Sequence, residues 1–558
     1  MQHIYQALQS SYNAMQRGAL AEARRYLDGL DHPKAIHLLA LVEKKAGDFE
    51  KAAGLLEKAA NMDPGDPEIA NNRAVLARDT GQSELAESEF RRALECNPAF
   101  LQAAIGLGRL LIDGERWQDS ARVYEQMLEI DPENVTGRYG LGTACLGNNK
   151  AEQAASIFDE LISEGNDQPE IQFMRARARL ELGQIDAALT DLTASHATRP
   201  SDFTLRTLAG TYWMLGDDEN FVTLLDESAG KPELAVTSAE ILRQSGDPVR
   251  ALAVLAKARE VAALPPQSWS VAANAHIDLD EAQEAEVAAL ACLAECADDR
   301  TIIGCLISSL LMQGKAADAM PHIERMRKAE PCGQHWIAYE ASALRLLGSE
   351  RYGQLVDLER FVRPYRLPVP DGFNTIDEFN DAFLKALDVW HQYETHPLDQ
   401  SLRCGSQTPR DLTAINDPVI NAFYDALDEP IRQYMAEVGS SPDHPLTSRN
   451  TGNYRIAGAW SVKLHGGGRH INHVHSEGWI SSAYYVAVPE EKQSDDNKAG
   501  WIKFGEPPFK TTPPSPPEKW IRPTAGTLVL FPSYLWHGTQ AIDTDAVRVT
   551  APFDAVPA

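Results

Sequence analysis

The chain has 558 residues and a formal net charge of −28, with 52 Lys and Arg against 80 Asp and Glu. Single domains usually hold about 100–200 residues, so this length predicts at least two domains. Nucleic acids and anionic membrane surfaces require a basic face, and the acidic balance therefore argues against both as main partners.

The sequence also indicates where the protein is found. No segment reaches the roughly 18 consecutive apolar residues of a membrane span, and the polar N-terminal stretch lacks the apolar core of a secretory signal. The seven cysteines are few and odd in number, which argues against a disulfide framework. We therefore expect a cytoplasmic protein.

The first part of the chain repeats with a period of 34 residues. Small residues recur at this interval, and larger residues recur four positions after each of them: Ala52, Ala86, Ser120, Ala154 and Ala188, then Leu56, Phe90, Tyr124, Phe158 and Leu192. Gly47, Gly81 and Gly183 keep the same phase, with Glu115 and Asn149 at the steps between them. The intervening stretches carry apolar residues at helical spacing. The pattern predicts pairs of helices that approach closely at the small residues and fill their seam with the large ones.

These repeats resemble the tetratricopeptide repeat, in which two antiparallel helices occupy 34 residues. The phase is clear from about 33 to 230 and weaker beyond. The resemblance implies an all-α solenoid at 1–230, continued by degenerate helical repeats at 231–360. Such solenoids usually present a concave groove to a peptide or protein, so we expect a protein or peptide partner there. The alternative is that the repeats only mediate dimerisation or support the second domain.

The composition changes near 361–372, where RFVRPYRLPVPDG brings three prolines and a glycine together. We interpret this segment as the linker to a second domain at 361–558. That domain begins with a helical lead-in at 373–440, which a predicted loop, HPLDQSLRCGSQTPRDL, interrupts.

From about 450 to 553 the apolar residues recur with a period of two, which is typical of strands. Short strands are predicted at 460–464, 480–488, 501–504, 526–531 and 547–550. Many short strands with Pro and Gly turns and no intervening helices predict a β-sandwich or jelly-roll barrel.

Histidines concentrate in this β region. His473 and His475 are two residues apart, so in an extended chain both imidazoles point to the same side. His537 follows a later predicted strand, and Arg548 comes eleven residues after it. Three ligands on one face of a six-coordinate iron leave room for a bidentate 2-oxo acid and O₂. The planar fork of Arg548 suits the far carboxylate of 2-oxoglutarate, because it binds bidentately and stays charged when buried.

Two segments carry a second resemblance. HVHSEGWISSAYYV at 473–486 and GTLVLFPSYLWHG at 526–538 resemble the 2-oxoglutarate/Fe(II)-dependent oxygenases, in particular a bacterial subgroup with an H-x-H pair followed by a double tyrosine. The resemblance extends from about 450 to 553. It implies a double-stranded β-helix of the jelly-roll or cupin-like kind with flanking helices. It also implies that Fe(II), 2-oxoglutarate and O₂ are used to hydroxylate a C–H bond.

We expect His473, His475 and His537 to be the iron ligands. The wider superfamily has a carboxylate at the second position of the motif, where this chain has His475. A shifted frame, in which His475 and Glu477 supply the usual pair, therefore stays open.

Other residues extend the predicted site. Arg548 and Thr550 lie two residues apart on one strand and are expected to hold 2-oxoglutarate. Tyr484 and Tyr485 alternate along their strand, so one of them can reach the co-substrate, or both can pack in the core. We expect four further residues at the substrate mouth or behind the metal ligands: Trp460, Lys463, His470 and Asn472.

Together these features predict an Fe(II)/2-oxoglutarate-dependent dioxygenase that hydroxylates a protein or peptide recruited by the repeats. A small-metabolite substrate, a non-catalytic metal-binding scaffold and a zinc hydrolase are the alternatives. The hydrolase leaves Arg548 without a role. The acidic balance of the chain favours a basic or neutral substrate.

Overall fold

The computed structural model describes residues 2–489, 498–543 and 546–558. The chain divides into two compact units, Met1–Ser195 and His196–Ala558. Among the described residues, no helix combines the length and the apolar character that a membrane crossing requires.

The first unit is built of successive helices that pack as antiparallel pairs. They are α1 (Gln2–Gln16), α2 (Leu20–Leu27), α3 (Pro33–Lys45), α4 (Phe49–Met62), α5 (Pro67–Asp79), α6 (Ser83–Cys96), α7 (Leu101–Asp113), α8 (Trp117–Ile130), α9 (Val135–Gly147), α10 (Ala151–Ser163), α11 (Pro169–Glu181) and α12 (Ile185–Thr198), which ends in the second unit.

The 34-residue period marks the seam of this solenoid, as predicted. Every small and large residue named above for the period is at most 1% exposed. The fit is tight around Phe90 and Tyr124. A Cβ added at Gly106 would lie 2.4 Å from the Phe90 ring, and one added at Gly108 or Gly140 would lie 2.4 or 2.3 Å from the Tyr124 ring. The seam therefore depends on aromatic residues that pack directly against the backbone of neighbouring helices.

The turn inside each repeat contains one residue in the left-handed region. Gly47, Gly81 and Gly183 have φ of 85°, 75° and 69°, and at the steps without glycine Glu115 and Asn149 have 56° and 57°. The turn thus keeps its conformation even where the residue pays a steric cost for positive φ.

The second unit begins with helices. They are α13 (Asp202–Met214), α14 (Asp218–Ala229), α15 (Pro232–Gln244), α16 (Pro248–Val261), α17 (Gln267–Asp278), α18 (Ala282–Leu293), α19 (Arg300–Met312), α20 (Ala316–Ala329), α21 (Gln334–Leu346), α22 (Arg351–Leu355) and α23 (Leu358–Phe361), followed within the β region by α24 (Ile376–Asp388), α25 (Pro418–Ala426) and α26 (Asp428–Val438).

The strands of this unit are β1 (Arg363–Arg366), β2 (Leu402–Gln407), β3 (Tyr454–Ala459), β4 (Val462–His470), β5 (Ile480–Ala487), β6 (Ile502–Phe504), β7 (Lys519–Ile521), β8 (Thr527–Pro532), β9 (His537–Thr539), β10 (Arg548–Thr550) and β11 (Phe553–Pro557). In the part of the chain that the structure describes, the larger sheet has the order β1-β8-β5-β10-β4-β2, and β11 pairs with both β3 and β5. The smaller sheet has the order β7-β6-β9. All pairings are antiparallel, as a jelly roll requires.

Two segments that we predicted to be irregular contain strands. The linker at 361–372 contains β1, which pairs with β8, and the predicted loop between the helices contains β2, which pairs with β4. Both are the outermost strands in the sheet order, where only one side of the strand needs a partner. Pro364 and polar side chains are tolerated at such edges, so neither strand shows the apolar alternation of a central strand. The predicted strand at 460–464 covers the two residues between β3 and β4 and the first three residues of β4.

The helices of the second unit share their core with the strands. Phe509, in the segment between β6 and β7, packs among residues of α13 to α21, with its ring centroid 6.2 Å from that of Tyr339. Trp536 is 7% exposed and donates its indole N–H to Ser342 Oγ at 2.9 Å. Helices predicted to continue the solenoid thus fold in one compact unit with the strands.

Candidate metal centre and adjoining cavity

Three histidine side chains converge in the second unit. His473 and His475 lie between β4 and β5, and His537 begins β9. His473 N donates to His537 O at 2.9 Å, and His537 N donates back to His473 O at 3.0 Å. His475 N donates to Ser533 O at 3.1 Å. These backbone bonds bring the three rings together, and one ligand nitrogen from each lies within 4.8 Å of the others.

Each ring has its Nδ1 atom next to an acceptor. The Nδ1 atoms of His473 and His537 lie 2.8 Å from Ile471 O and 2.9 Å from Leu535 O. Each Nδ1–H therefore donates to a carbonyl, and Nε2 keeps its lone pair. The Nε2 atoms of His473 and His475 are 3.1 Å apart. Two adjacent ligands of a six-coordinate ion are separated by about 3 Å, so this donor set fits a divalent metal.

Burial keeps the imidazoles of His473 and His537 neutral. Burial lowers the pKa of His473 to about 3, and the neighbouring His475 is the second largest cause of this shift. Burial and the neighbouring histidines hold the pKa of His537 well below its ordinary value. A neutral imidazole is the form that binds a metal, so no proton competes for these two rings near neutral pH.

Asp554 of β11 orients the third ring. Its two carboxylate oxygens lie 2.7 and 2.8 Å from His475 Nδ1. It also accepts a hydrogen bond from Ser481 Oγ at 2.6 Å. The sequence analysis missed Asp554, although one signal was present: it is a charged residue between the apolar Phe553 and Ala555 of the last strand.

Glu477, the alternative ligand, lies on the exposed turn that follows His475. It lines the cavity described next but is not part of the group formed by the three histidines.

A cavity of about 810 Å³ adjoins the histidines, and several residues of the predicted site line it. Arg548 is 2% exposed, donates to Gly500 O, and lies 6.0 Å from the centroid of the Tyr485 ring. Thr550, two residues along β10, lines the same cavity. The ring of Trp460 lies 5.7 Å from that of His475. The cavity therefore combines a buried cation, hydroxyl groups and an aromatic wall beside the candidate metal centre.

His470 also lines this cavity, and it is linked to the centre through Ser401. The Ser401 hydroxyl lies 3.0 Å from His470 Nδ1 and 3.3 Å from His473 Nε2. Ser401 comes from the segment predicted to be a loop, and no local pattern in the chain indicates its position.

Three residues of the predicted site do not line this cavity. Tyr484 faces the opposite side of β5 from Tyr485 and donates its hydroxyl to Asn380 Oδ1 at 2.6 Å. Lys463 pairs with Asp388 at 2.6 Å, away from the cavity. Asn472 donates to Glu506 Oε2 at 2.9 Å and lines an adjoining cavity. None of the three contacts a ring of the metal centre by a hydrogen bond in the described residues.

Helices supply one wall of the cavity. Arg243 of α15 and Asp278 of α17 line it and form an ion pair at 2.9 Å, and Arg243 also pairs with Glu240 at 2.9 Å. The sequence analysis missed this wall, because the residues that form it occur at ordinary polar positions of their helices.

Comparison with known families agrees with both resemblances. Residues 458–554 match the model described as "Putative 2OG-Fe(II) oxygenase", and residues 37–99 and 110–180 match two tetratricopeptide repeat models. The chain thus carries tetratricopeptide repeats followed by a 2OG-Fe(II) oxygenase region, as predicted.

Similar solved structures include two that are described as tetratricopeptide repeat proteins. One from Parabacteroides merdae is 18% identical, covers 49% of this chain and 99% of its own, and has a TM-score of 0.36. MamA from Desulfovibrio magneticus is 17% identical over 30% of this chain and 95% of its own, with a TM-score of 0.29. A thermophilic tetratricopeptide repeat protein from Thermus thermophilus is 19% identical over 32% of this chain and 99% of its own, with a TM-score of 0.27. No curated protein matches the sequence significantly.

Proposed function

We propose that this protein is an Fe(II)/2-oxoglutarate-dependent dioxygenase that hydroxylates a protein or peptide. The observation that carries the proposal is the convergence of three histidine nitrogens beside a cavity that also contains a buried arginine. When bound, Fe(II) with 2-oxoglutarate and O₂ would supply the oxidation of a C–H bond, with succinate and CO₂ as by-products.

His473, His475 and His537 are the proposed ligands. Each presents Nε2 because an acceptor holds its Nδ1–H. The His473–His475 pair is favoured over a His475–Glu477 pair because the two Nε2 atoms lie 3.1 Å apart, whereas Glu477 is exposed and outside the group formed by the three histidines. Three imidazoles bring no negative charge to a divalent ion. The carboxylate of Asp554 supplies negative charge from behind the His475 ring. It thereby makes this imidazole a stronger donor to the metal.

Arg548, Thr550 and Tyr485 are proposed to bind 2-oxoglutarate. Arg548 is buried and offers a planar fork to the far carboxylate, with which it would form a strong charge-assisted pair. Burial raises the pKa of Tyr485 to about 12, so its phenol stays neutral and can donate a hydrogen bond. We leave Tyr484 out of this set because its hydroxyl is engaged by Asn380 on the other side of the sheet.

The more specific part of the proposal is that the substrate is a protein or peptide. It is supported by the tetratricopeptide repeats, a type of solenoid that commonly binds polypeptides, and by the helical wall of the cavity. Trp460 beside His475 would border the substrate where it approaches the metal.

Anaerobic titration of metal-stripped protein with Fe(II) and 2-oxoglutarate tests the function. We expect a visible metal-to-ligand charge-transfer band that His537→Ala and Arg548→Ala abolish. His465→Ala and Arg455→Ala are matched controls on β4 and β3, exposed and outside the cavity, and should retain the band. Thermal unfolding of each variant separates loss of the site from loss of the fold. A folded wild-type protein that shows no band and binds Zn(II) tightly would overturn the oxygenase proposal.

A further inference from the structure

A second cavity of about 990 Å³ adjoins the first. The two share Asp278, His470, Ile471 and Thr539 as lining residues. The proline-rich segment between β6 and β7 forms another wall of the second cavity. Each volume lies in the range that holds one small ligand, so the pair offers more length than 2-oxoglutarate requires. Two adjoining cavities of this size can hold an extended chain, whereas a compact metabolite would occupy only one of them.

Three of the cations that line these two cavities form ion pairs with carboxylates. Such pairs leave little net charge for a ligand to recognise. The pairs are Arg243 with Glu240 and Asp278, Lys503 with Glu506, and Lys510 with Asp280.

Arg403 and Arg469 are different. They face each other in the register of β2 and β4, with Arg403 in the lining of the first cavity and Arg469 in that of the second. Arg403 is half-buried and donates to the carbonyls of Gln400 and Leu402 at 2.7 and 2.6 Å. Within the described residues neither guanidinium forms an ion pair with a carboxylate. Burial, together with the neighbouring Arg469, lowers the pKa of Arg403.

Two adjacent guanidinium groups, one of them partly removed from water, repel each other and cost free energy. An anion that binds both groups removes that cost and is held by directional, charge-assisted hydrogen bonds. The carboxylates of the cavity lining serve this purpose only in part. Asp278 attracts Arg403, but it forms its ion pair with Arg243. Asp554 is engaged by His475, while Asp399 and Glu477 are exposed.

We propose, on the basis of the function above, that Arg403 and Arg469 bind a carboxylate of an extended peptide substrate, so that an acidic residue lies close to the residue that is hydroxylated. This inference reverses the expectation of a basic or neutral substrate drawn from the net charge. Exposed charges farther away than about 8–10 Å are screened at physiological ionic strength, so the groups lining the cavity decide which ligand charge is favoured.

Fluorescence anisotropy on the full-length protein, loaded anaerobically with Fe(II) and 2-oxoglutarate, tests the proposal. The probes are labelled decapeptides of alternating Gly and Glu, Gly and Gln, or Gly and Lys, with N-acetylglutamate as an unlabelled competitor. We expect the Glu peptide to bind at least tenfold more tightly than the Gln peptide, with an affinity that falls as salt is added. Arg403→Gln and Arg469→Gln should each weaken that binding about tenfold, and Arg403→Lys by less, because Lys keeps the charge but loses the fork. Arg455→Gln is the matched control and should leave binding unchanged.

The outcomes separate this proposal from the enzyme function. A normal charge-transfer band with equal binding of the Glu and Gln peptides overturns the acidic-substrate inference and leaves the oxygenase intact. Glu-peptide binding without a band overturns the oxygenase and retains the anion site. If N-acetylglutamate competes at a concentration similar to that of the unlabelled Glu peptide, the ligand is a small acid and the peptide assignment is wrong. If Arg403→Gln instead raises the 2-oxoglutarate concentration needed for the band, Arg403 serves the co-substrate, and the proposal also fails.

Discussion

Replacing Asp554 with Asn tests whether a residue that is not itself a proposed metal ligand controls the metal centre. Asp554 approaches His475 Nδ1 with both carboxylate oxygens, at 2.7 and 2.8 Å, and accepts from Ser481 Oγ at 2.6 Å. Asn has nearly the same size. It keeps one acceptor for the imidazole N–H, replaces the other with an NH₂ donor and removes the negative charge.

The expected loss follows from these contacts. The His475 ring loses the carboxylate that polarises it, and an amide rotated with its NH₂ towards Nδ1 would favour the wrong tautomer. Comparable changes behind a metal ligand weaken metal binding about 10–100-fold, which corresponds to about 1.4–2.8 kcal/mol. We therefore expect Asp554→Asn to raise the Fe(II) dissociation constant by one to two orders of magnitude while 2-oxoglutarate binding at saturating Fe(II) changes little.

Anaerobic Fe(II) titration at saturating 2-oxoglutarate, followed by the charge-transfer band, measures this constant. Asp388→Asn is a matched control, because Asp388 pairs with Lys463 outside the cavity. Unfolding of the metal-free proteins shows whether a variant has lost stability instead. An Asp554→Asn protein that is stable and binds Fe(II) as tightly as the wild type would show that Asp554 does not orient His475 for the metal.

Three further predictions concern the scaffold. Trp536→Ala should lower the free energy of unfolding of the second unit by about 3–5 kcal/mol in denaturant titrations, because it empties a buried indole site against α21; an unchanged midpoint would contradict this. A fragment of residues 199–558 should unfold cooperatively and form the charge-transfer band, since the core around the metal centre lies within the second unit; an unfolded fragment would refute that. Arg24 and Lys51 lower the pKa of Glu43 from 4.5 to about 2, so the stability this carboxylate contributes is present above about pH 4.5 and is lost as the pH falls through about 2. Glu43→Gln should therefore destabilise the protein by about 1–2 kcal/mol at pH 7 and far less near pH 2, as measured by denaturant titration at each pH; equal destabilisation at both pH values would contradict the assignment.

The repeats could be predicted because every helix pair must meet the same packing requirement. Ala86 must be small and Phe90 large for neighbouring helices to meet, and the same requirement recurs 34 residues later at Ser120 and Tyr124. A pattern of small and large residues four positions apart can be recognised in a single sequence when it recurs every 34 residues. The histidine motif could be predicted for a similar reason, because His473 and His475 are close in the chain as well as in space.

The remainder of the site depends on contacts between distant segments. Asp554 reaches His475 across 79 residues, and Arg403 meets Arg469 only because β2 pairs with β4. Neither pairing leaves a local pattern. Strand alternation showed that Tyr484 and Tyr485 face opposite sides, but the choice between them depends on which side α24 and α25 cover. The Tyr484 hydroxyl bonds to Asn380 of α24, which leaves Tyr485 for the cavity.

The position of the helices in the second unit changes how substrate recruitment must be tested. Arg243 and Asp278 come from α15 and α17 and line the cavity, and α21 packs against Trp536 beside the metal centre. Removing every helix before the strands would therefore remove a wall of the cavity and expose its core. Loss of activity in such a truncation would say nothing about recruitment. Only the helices of the first unit can be deleted without this consequence, so the contribution of the repeats to substrate binding must be measured by comparing the whole chain with residues 199–558.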